Sequence, residues 1–160
     1  MYRSLGLLIV SLLMLTGQIA KAEVTSKAEI DKAIEMTRAV LATDKQAIVA
    51  KNMTLSDTES EPFWMLYREY QNEQRTVKDR LVKILTEYAS SHENLTDDQA
   101  YRMTNEYLKI QQADLDLKTK YDKKFEKVLP RKKVATYFQI ENKISAVLNM
   151  ALANDVPLVK

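Results

Sequence analysis

No glycine and no cysteine occurs between Glu23 and Lys160, and this double absence restricts the folds open to the chain. Both glycines, Gly6 and Gly17, precede that stretch. Glycine supplies the positive φ that the tight hairpin turns of antiparallel sheets need, so a compact β fold of this length is disfavoured. The abundant residues (Ala, Leu, Lys, Glu, Gln, Met and Arg) are good helix formers. We therefore predict an all-α fold.

Residues 1–22 have the layout of a secretory signal peptide. Arg3 gives a positive start, an apolar run extends from Leu5 to Leu15, and Ala20-Lys21-Ala22 forms an A-x-A exit. The apolar run is shorter than the roughly 20 residues that a membrane span needs. We expect cleavage after Ala22 and one all-helical domain over residues 23–160.

Charge and cysteine content indicate the compartment and exclude some partners. Loss of Arg3 and Lys21 would leave 22 of the 24 basic residues against 22 acidic ones. A chain with no net charge is not drawn to nucleic acid or to an anionic membrane, so we expect neither as a partner and no membrane insertion after processing. Small secreted eukaryotic domains usually carry disulfides, so a cysteine-free exported chain favours the bacterial periplasm.

Helix starts are marked by capping boxes, in which a Ser or Thr and a Glu or Gln three residues later each satisfy an exposed backbone N–H. The three boxes are Thr43 with Gln46, Ser56 with Glu59, and Thr96 with Gln99. Pro130 fits the first turn of a final helix, whereas Pro62 falls late enough to strain the start of its helix.

Apolar residues at alternating steps of four and three predict two long helices, one from Phe63 to Tyr88 and one from Ala100 to Val128. A short connection at 92–95 makes them antiparallel neighbours. The prediction is thus a long antiparallel helical hairpin with flanking N- and C-terminal helices, four to five helices in all. Gln74 and Asp114 interrupt the two apolar seams and are expected to form a polar layer. The flanking segments are 26–53 and 131–153, and the apolar tail 156–159 is expected to dock.

Two groups of side chains are candidates for a binding surface. The aromatic group either packs in the core or keeps one edge open for a protein partner; it consists of Phe63, Trp64, Tyr67 and Tyr70. The basic group either pairs with the acidic start of the preceding helix or forms a charged rim to the binding surface; it consists of Lys123, Lys124, Lys127, Arg131, Lys132 and Lys133.

Motifs for catalysis, phosphate binding or metal ligation are lacking in the sequence. The chain has one histidine, His92, and no thiolate to complete a metal site. Nucleophile motifs and glycine-rich phosphate loops do not occur. We expect no enzymatic activity, no cofactor and no metal.

Two of the helix starts are near copies of each other. Leu95-Thr96-Asp97-Asp98-Gln99 is an LTxxQ motif, and Leu55-Ser56-Asp57-Thr58-Glu59 is a looser version of it. In a small, exported, helical chain this pair resembles the Spy/CpxP-type LTxxQ proteins of the bacterial periplasm. The resemblance implies a thin, curved helical dimer that acts as an ATP-independent chaperone or as an envelope-stress adaptor. Other segments, such as Pro62–Tyr67, look more like a separate branch of secreted helical proteins.

Three functions remain open at this point. The first is a chaperone that binds partly folded client proteins on a partly apolar helical surface. The second is an adaptor for one envelope protein, such as a sensor domain, and the third is a structural protein or a carrier of a small apolar ligand. A homodimer is compatible with each of them.

Overall fold

The computed structural model describes residue 41, residues 43–156 and residue 158. Helix α1 is Asp57–Ser91, a 3-10 turn follows at His92–Asn94, helix α2 is Asp97–Phe125, and helix α3 is Arg131–Asp155. Residues 43–52 are also helical, and no strand occurs in the described part of the chain. The all-α prediction is confirmed. The predicted signal peptide, its cleavage site and most of the 26–53 segment lie outside the described residues.

The described residues fall into two compact units, one made of residues 55–136 and the other of residues up to 54 together with 137–156. In the first unit α1 and α2 form the antiparallel hairpin. Cross-helix ion pairs join Glu69 to Lys124 at 3.0 Å, and further along join Arg80 to Glu106 at 2.7 Å. The two pairs place the beginning of α1 beside the end of α2, as the short connection predicts.

Aromatic rings fill the seam at the open end of the hairpin. The centroids of Phe63 and Phe125 are 5.5 Å apart, and those of Tyr70 and Tyr121 are 5.1 Å apart. All four side chains are buried. Aromatic pairs at these separations stabilise a core beyond the area that they remove from water.

The other half of the hairpin is much less covered. Among residues 81–105 only Met103 is buried, although the segment contains Leu81, Ile84, Leu85 and Tyr88 at core spacing. Two helices can cover each other on one side only, so the remaining surface of their apolar residues stays partly in contact with water.

The expected polar interruption of the seam consists of buried Gln74 and buried Asp114. The Gln74 side-chain amide donates a hydrogen bond to the Tyr70 hydroxyl at 3.1 Å. The Asp114 carboxylate lies 2.6 Å from the Lys118 ammonium of its own helix and 3.5 Å from that of Lys78 on α1. A buried carboxylate with a partner on each helix favours one register of the hairpin.

Opposing effects act on the pKa of Asp114. Burial favours the neutral acid, but the hydrogen bond from Lys118 and the positive charge of Lys78 outweigh it. The pKa therefore lies below its ordinary value, and the ionised form stabilises the fold.

The second unit contains the helical residues 43–52 and the later part of α3. Lys45 and Glu141 form an ion pair at 2.7 Å, and the Glu141 side chain is only 1% exposed. Val49, Met53, Tyr137 and Ile140 are buried in this part of the chain. The ion pair therefore connects two segments that are far apart in sequence.

Two local expectations, the cap at Thr43 and the docked tail, differ from the structure. Thr43 has helical backbone, as does Leu41, so Thr43 is not a helix N-cap. Leu158 is 88% exposed, so docking of the tail is wrong for this residue. Helix α1 continues through Pro62. Pro62 has no N–H to donate to the carbonyl of Thr58, and Thr58 is an exposed residue.

The capping box of α2 yields a stability prediction. The Gln99 amide donates to the Thr96 hydroxyl at 3.3 Å, and the Thr96 amide donates to the Gln99 side chain at 2.9 Å. Thr96→Ala should lower the free energy of unfolding by about 1 kcal/mol in urea denaturation. Thr104→Ala, at an exposed site inside the same helix, is the control and should leave stability unchanged or slightly raised, because alanine is the better helix former. Equal effects of the two substitutions would contradict the capping role.

Asp114 yields a pH prediction. Because its pKa is lowered in the fold, its contribution is present above the ordinary carboxyl pKa and is lost as the pH falls through the folded value. Asp114→Asn should cost about 1 kcal/mol at pH 7, a modest value because both lysines are partly exposed. The difference in the free energy of unfolding from the unmodified protein should close as the pH falls below the ordinary carboxyl pKa, whereas exposed Glu61→Gln should cost little at neutral pH. A difference independent of pH would show that the charge contributes nothing.

Candidate protein-binding surface

The aromatic group predicted from the sequence is mostly core. Phe63, Tyr67 and Tyr70 are buried, so they cannot offer a surface to a partner, and the core interpretation is the correct one for these three. Trp64 alone stays partly exposed. Its ring packs edge-on against Phe63 and Tyr67, at centroid distances of 5.0 and 5.2 Å. Phe63, Tyr67 and Tyr70 are buried because they lie on the side of α1 that packs against α2, where large side chains fill the core.

Three residues of the predicted basic rim form ion pairs, although one of them, Arg131, is also exposed. Lys124 pairs with Glu69 at 3.0 Å, Lys133 pairs with Glu59 at 2.5 Å, and Arg131 pairs with Asp122 at 3.4 Å. Only Lys133, on α3, contacts the acidic start of α1, through Glu59; Lys124 at the end of α2 instead reaches Glu69 further along α1. The remaining members are exposed: Lys123, Lys127 and Lys132.

Glu73 is the centre of a small polar cluster at the same end of the hairpin. Its carboxylate accepts hydrogen bonds from the Lys120 ammonium at 2.6 Å and from the Tyr121 hydroxyl at 2.7 Å. These two hydrogen bonds lower the pKa of Glu73. Burial, and then the hydrogen bond to Glu73, raise the pKa of Tyr121. The Tyr121 hydroxyl therefore stays protonated, and the cluster braces the hairpin rather than supplying a reactive group.

The LTxxQ-like motifs lie at the starts of the two hairpin helices. Ser56 and Thr96 are the N-cap residues, and Glu59 and Gln99 reach back to their backbone amides. Glu59 also binds Lys133, and this contact, with the Ser56 amide, lowers its pKa. Leu55 and Leu95 precede the caps and are half-buried. Each residue of the motif thus has a structural role in starting a helix.

A different surface, which the sequence reasoning missed, runs along α2 on the side opposite to its buried residues. Its residues follow one another at steps of three and four and therefore share one helix face. The outer face of α2 consists of Tyr101, Thr104, Leu108, Gln112, Leu115 and Thr119. All six are exposed, and none carries a charge. At 1.5 Å per residue the face is about 27 Å long.

Three large apolar side chains are spaced by seven residues along this face. Tyr101 is 74% exposed, and Leu108 and Leu115 are each 57% exposed. Single exposed apolar residues are common on proteins, but a regular row without intervening charge is typical of an interaction surface. The signal was present in the sequence as the repeat of seven, outside the seam that the core pattern uses.

The corresponding face of α1 is mostly charged and therefore differs from the uncharged outer face of α2. The residues of α1 opposite its buried seam are Arg68, Asn72, Arg75, Asp79, Lys83 and Thr86, and all of them are exposed. Four of these six are charged, as expected for a helix face in water. The two helices of one hairpin therefore present one conventional solvated face and one uncharged, partly apolar face.

A groove adjoins the outer face of α2 near the hairpin turn. It has a volume of about 540 Å³, and Tyr101 and Asn105 form part of its wall. A second groove of about 440 Å³ lies further along the hairpin, with Val77 and Leu117 among its lining residues. Both grooves lie between α1 and α2.

The described residues contain no cluster of three or more His, Cys, Asp or Glu side chains that could bind a metal ion. No helix among them is long and apolar enough to cross a membrane.

Searches against protein-family models, curated proteins and solved structures found no match to this chain.

Proposed function

We propose that this protein is a non-enzymatic, helical protein of the bacterial periplasm that binds partly folded proteins, as an ATP-independent chaperone of the Spy/CpxP type. The observation that carries the proposal is the uncharged outer face of α2 with its row of exposed apolar side chains. The signal-like residues 1–22 and the LTxxQ motif support the compartment and the family.

The physical basis is weak, reversible contact with exposed apolar segments of a client. Leu108 and Leu115 each offer more than half of their surface to solvent. Removal of this surface from water on contact is favourable by about 25 cal/mol per Å². The hydroxyl and amide groups between them keep the face soluble while the client is absent.

The binding surface has to remain exposed without unfolding the hairpin. The aromatic seam and the cross-helix ion pairs lie on other sides of α2, so they hold the helix while its outer face stays open. A stable scaffold of this kind needs no nucleotide-driven change of shape to bind and to release.

An adaptor that binds one envelope protein is the second candidate. The regular spacing of Tyr101, Leu108 and Leu115 favours it, because a fixed row suits one matching surface better than many irregular clients. A pull-down from periplasmic extract separates the candidates: one stoichiometric partner indicates an adaptor, and many weak partners indicate a chaperone.

Suppression of aggregation tests the proposal. The purified protein, in excess and without ATP, should reduce light scattering by a client diluted from denaturant. The double substitution Leu108→Gln and Leu115→Gln should abolish most of this effect with helicity unchanged, because both side chains point to solvent. Met65→Gln is the matched control, since Met65 is 52% exposed but lies on α1. Failure of the folded protein to suppress aggregation, or equal losses from both variants, would overturn the proposal.

A further inference from the structure

The row of apolar side chains on the outer face of α2 is symmetric about its middle residue. Tyr101 precedes Leu108 by seven residues, and Leu115 follows it by seven. A second α2 helix, placed antiparallel on this face and centred on Leu108, would set each Tyr101 against a Leu115 and the two Leu108 side chains against each other. The face is therefore complementary to itself in this register, as the interface of a two-fold symmetric dimer has to be.

Five charged residues follow the groove side of α2, which is the side that borders the two grooves between α1 and α2. In chain order they are Asp98, Arg102, Lys109, Asp116 and Lys120, and all five are exposed. Arg102 and Lys109 line the groove near the turn, and Asp116 and Lys120 line the other groove. Asp98 precedes Arg102 by one helical turn and so shares its side. A partner that matches this side has to carry both signs of charge.

The signs along the groove side suit the same antiparallel register. In a two-fold symmetric antiparallel pair, the groove side of one helix lies beside the groove side of the other. With Leu108 at the centre, Arg102 lies within about 3 Å, measured along the axis, of Asp116 of the second copy, and Asp98 lies equally close to Lys120 of the second copy. Symmetry doubles both contacts to four, whereas Lys109 meets its own counterpart once. The four contacts between opposite charges outweigh the single contact between like charges.

The charges on the remaining edges of such a pair largely cancel. On the other side of α2, Lys118 is already matched by Asp114 of its own helix at 2.6 Å. At each end of the pair, Asp97 approaches the last turns of the second α2, where Asp122 and Lys123 are neighbours of opposite charge. The ends therefore neither favour nor oppose the pairing strongly.

The charged contacts select the register, and the apolar row supplies most of the affinity. Arg102 and Lys120 also bind carboxylates of α1, because Arg102 pairs with Glu87 and Lys120 pairs with Glu73 at 2.6 Å. Exposed ion pairs contribute little free energy each. A reversed or shifted helix would lose both the apolar matches and the sign matches, so the register is specific even though each ion pair is weak.

The size of the face indicates a dimer that dissociates readily. The face is about 27 Å long and, at the width of one helix, about 10 Å wide, which gives roughly 270 Å² per copy. Stable complexes bury about 800 Å² per partner. A pair of this size exchanges with the monomer, so the second copy does not block the face permanently.

We propose that the outer face of α2 binds the same face of a second copy, antiparallel and centred on Leu108, and that a client protein displaces this second copy. The competition with clients rests on the proposed function, because it names what covers the same face between clients; the pairing itself does not depend on it. Dimerisation removes Leu108 and Leu115 from water while no client is present, and dissociation returns them to the client.

Crosslinking through single cysteines tests the register, since the chain has no cysteine of its own. Leu108→Cys places a thiol beside the two-fold axis, so mild oxidation should give a disulfide-linked dimer. Leu115→Cys is the matched control, because Leu108 and Leu115 are both 57% exposed. In the proposed register the two 115 positions lie about 21 Å apart, beyond the reach of a disulfide, so crosslinking there should be at least about tenfold slower.

Charge reversal tests the sign pattern in sedimentation equilibrium at low salt. Asp116→Lys places a lysine beside Arg102 of the second copy and should weaken the dimer about tenfold. Glu61→Lys, an exposed reversal on α1, should leave the dimer unchanged.

Competition is tested with the Leu108→Cys variant and a client diluted from denaturant. The client should slow crosslinking at position 108. The disulfide-linked dimer should suppress aggregation less well than the same variant after reduction, because the disulfide holds the two faces against each other.

The outcomes separate this inference from the proposed function. Equal crosslinking at positions 108 and 115, or a protein that sediments as a monomer at every concentration, overturns the second copy and leaves the face to a different protein. A client that is protected from aggregation without slowing the crosslinking overturns the competition. Specific crosslinking at position 108 by a folded protein that suppresses no aggregation supports the pairing and removes the proposed function.

Discussion

The pairing of α1 with α2 is the interaction on which the rest of the larger unit depends. Buried rings such as Tyr70 and Tyr121 hold the open end of the hairpin together, and ion pairs such as Arg80 with Glu106 connect the helices nearer the turn. Two helices in contact bury one side of each and leave the other in water. The residues on the two solvent-facing sides, one on α1 and one on α2, therefore determine what the hairpin can bind.

The two outer faces differ in charge, and the stability of the hairpin does not require this difference. Solubility would be met by charge on both helices, as on α1 with Arg68, Arg75 and Asp79. The outer face of α2 has instead Tyr101, Leu108 and Leu115 among hydroxyl and amide side chains. Exposed apolar surface lowers solubility, so an uncharged row of it along the outer face of α2 is best understood as a site for another polypeptide.

Much of the fold could be predicted from the sequence because its signals are local. The capping residues Ser56 and Thr96 locate the starts of α1 and α2, and the seam through Phe63 and Tyr121 gives their buried sides. The start at Thr43 was wrong because a capping box acts only where the preceding backbone leaves the helix, and no local residue type fixes that.

The binding surface was harder to predict, because large aromatic residues suit a core and an interface equally well. Phe63, Tyr67 and Tyr70 carried the strongest aromatic signal and proved to be buried. Whether an apolar residue is exposed depends on which helix packs where, and spacing along one helix leaves that open. The row on α2 gains its meaning only once the buried side of α2 is known.

The most direct measurement is site-specific photo-crosslinking to a partly folded client. A photoreactive side chain would be placed at position 108 on the outer face of α2 or, as control, at position 65 on α1. The account predicts client adducts from position 108 and few from position 65. Equal adducts from both positions, or adducts from position 65 alone, would contradict the assignment of client binding to the outer face of α2.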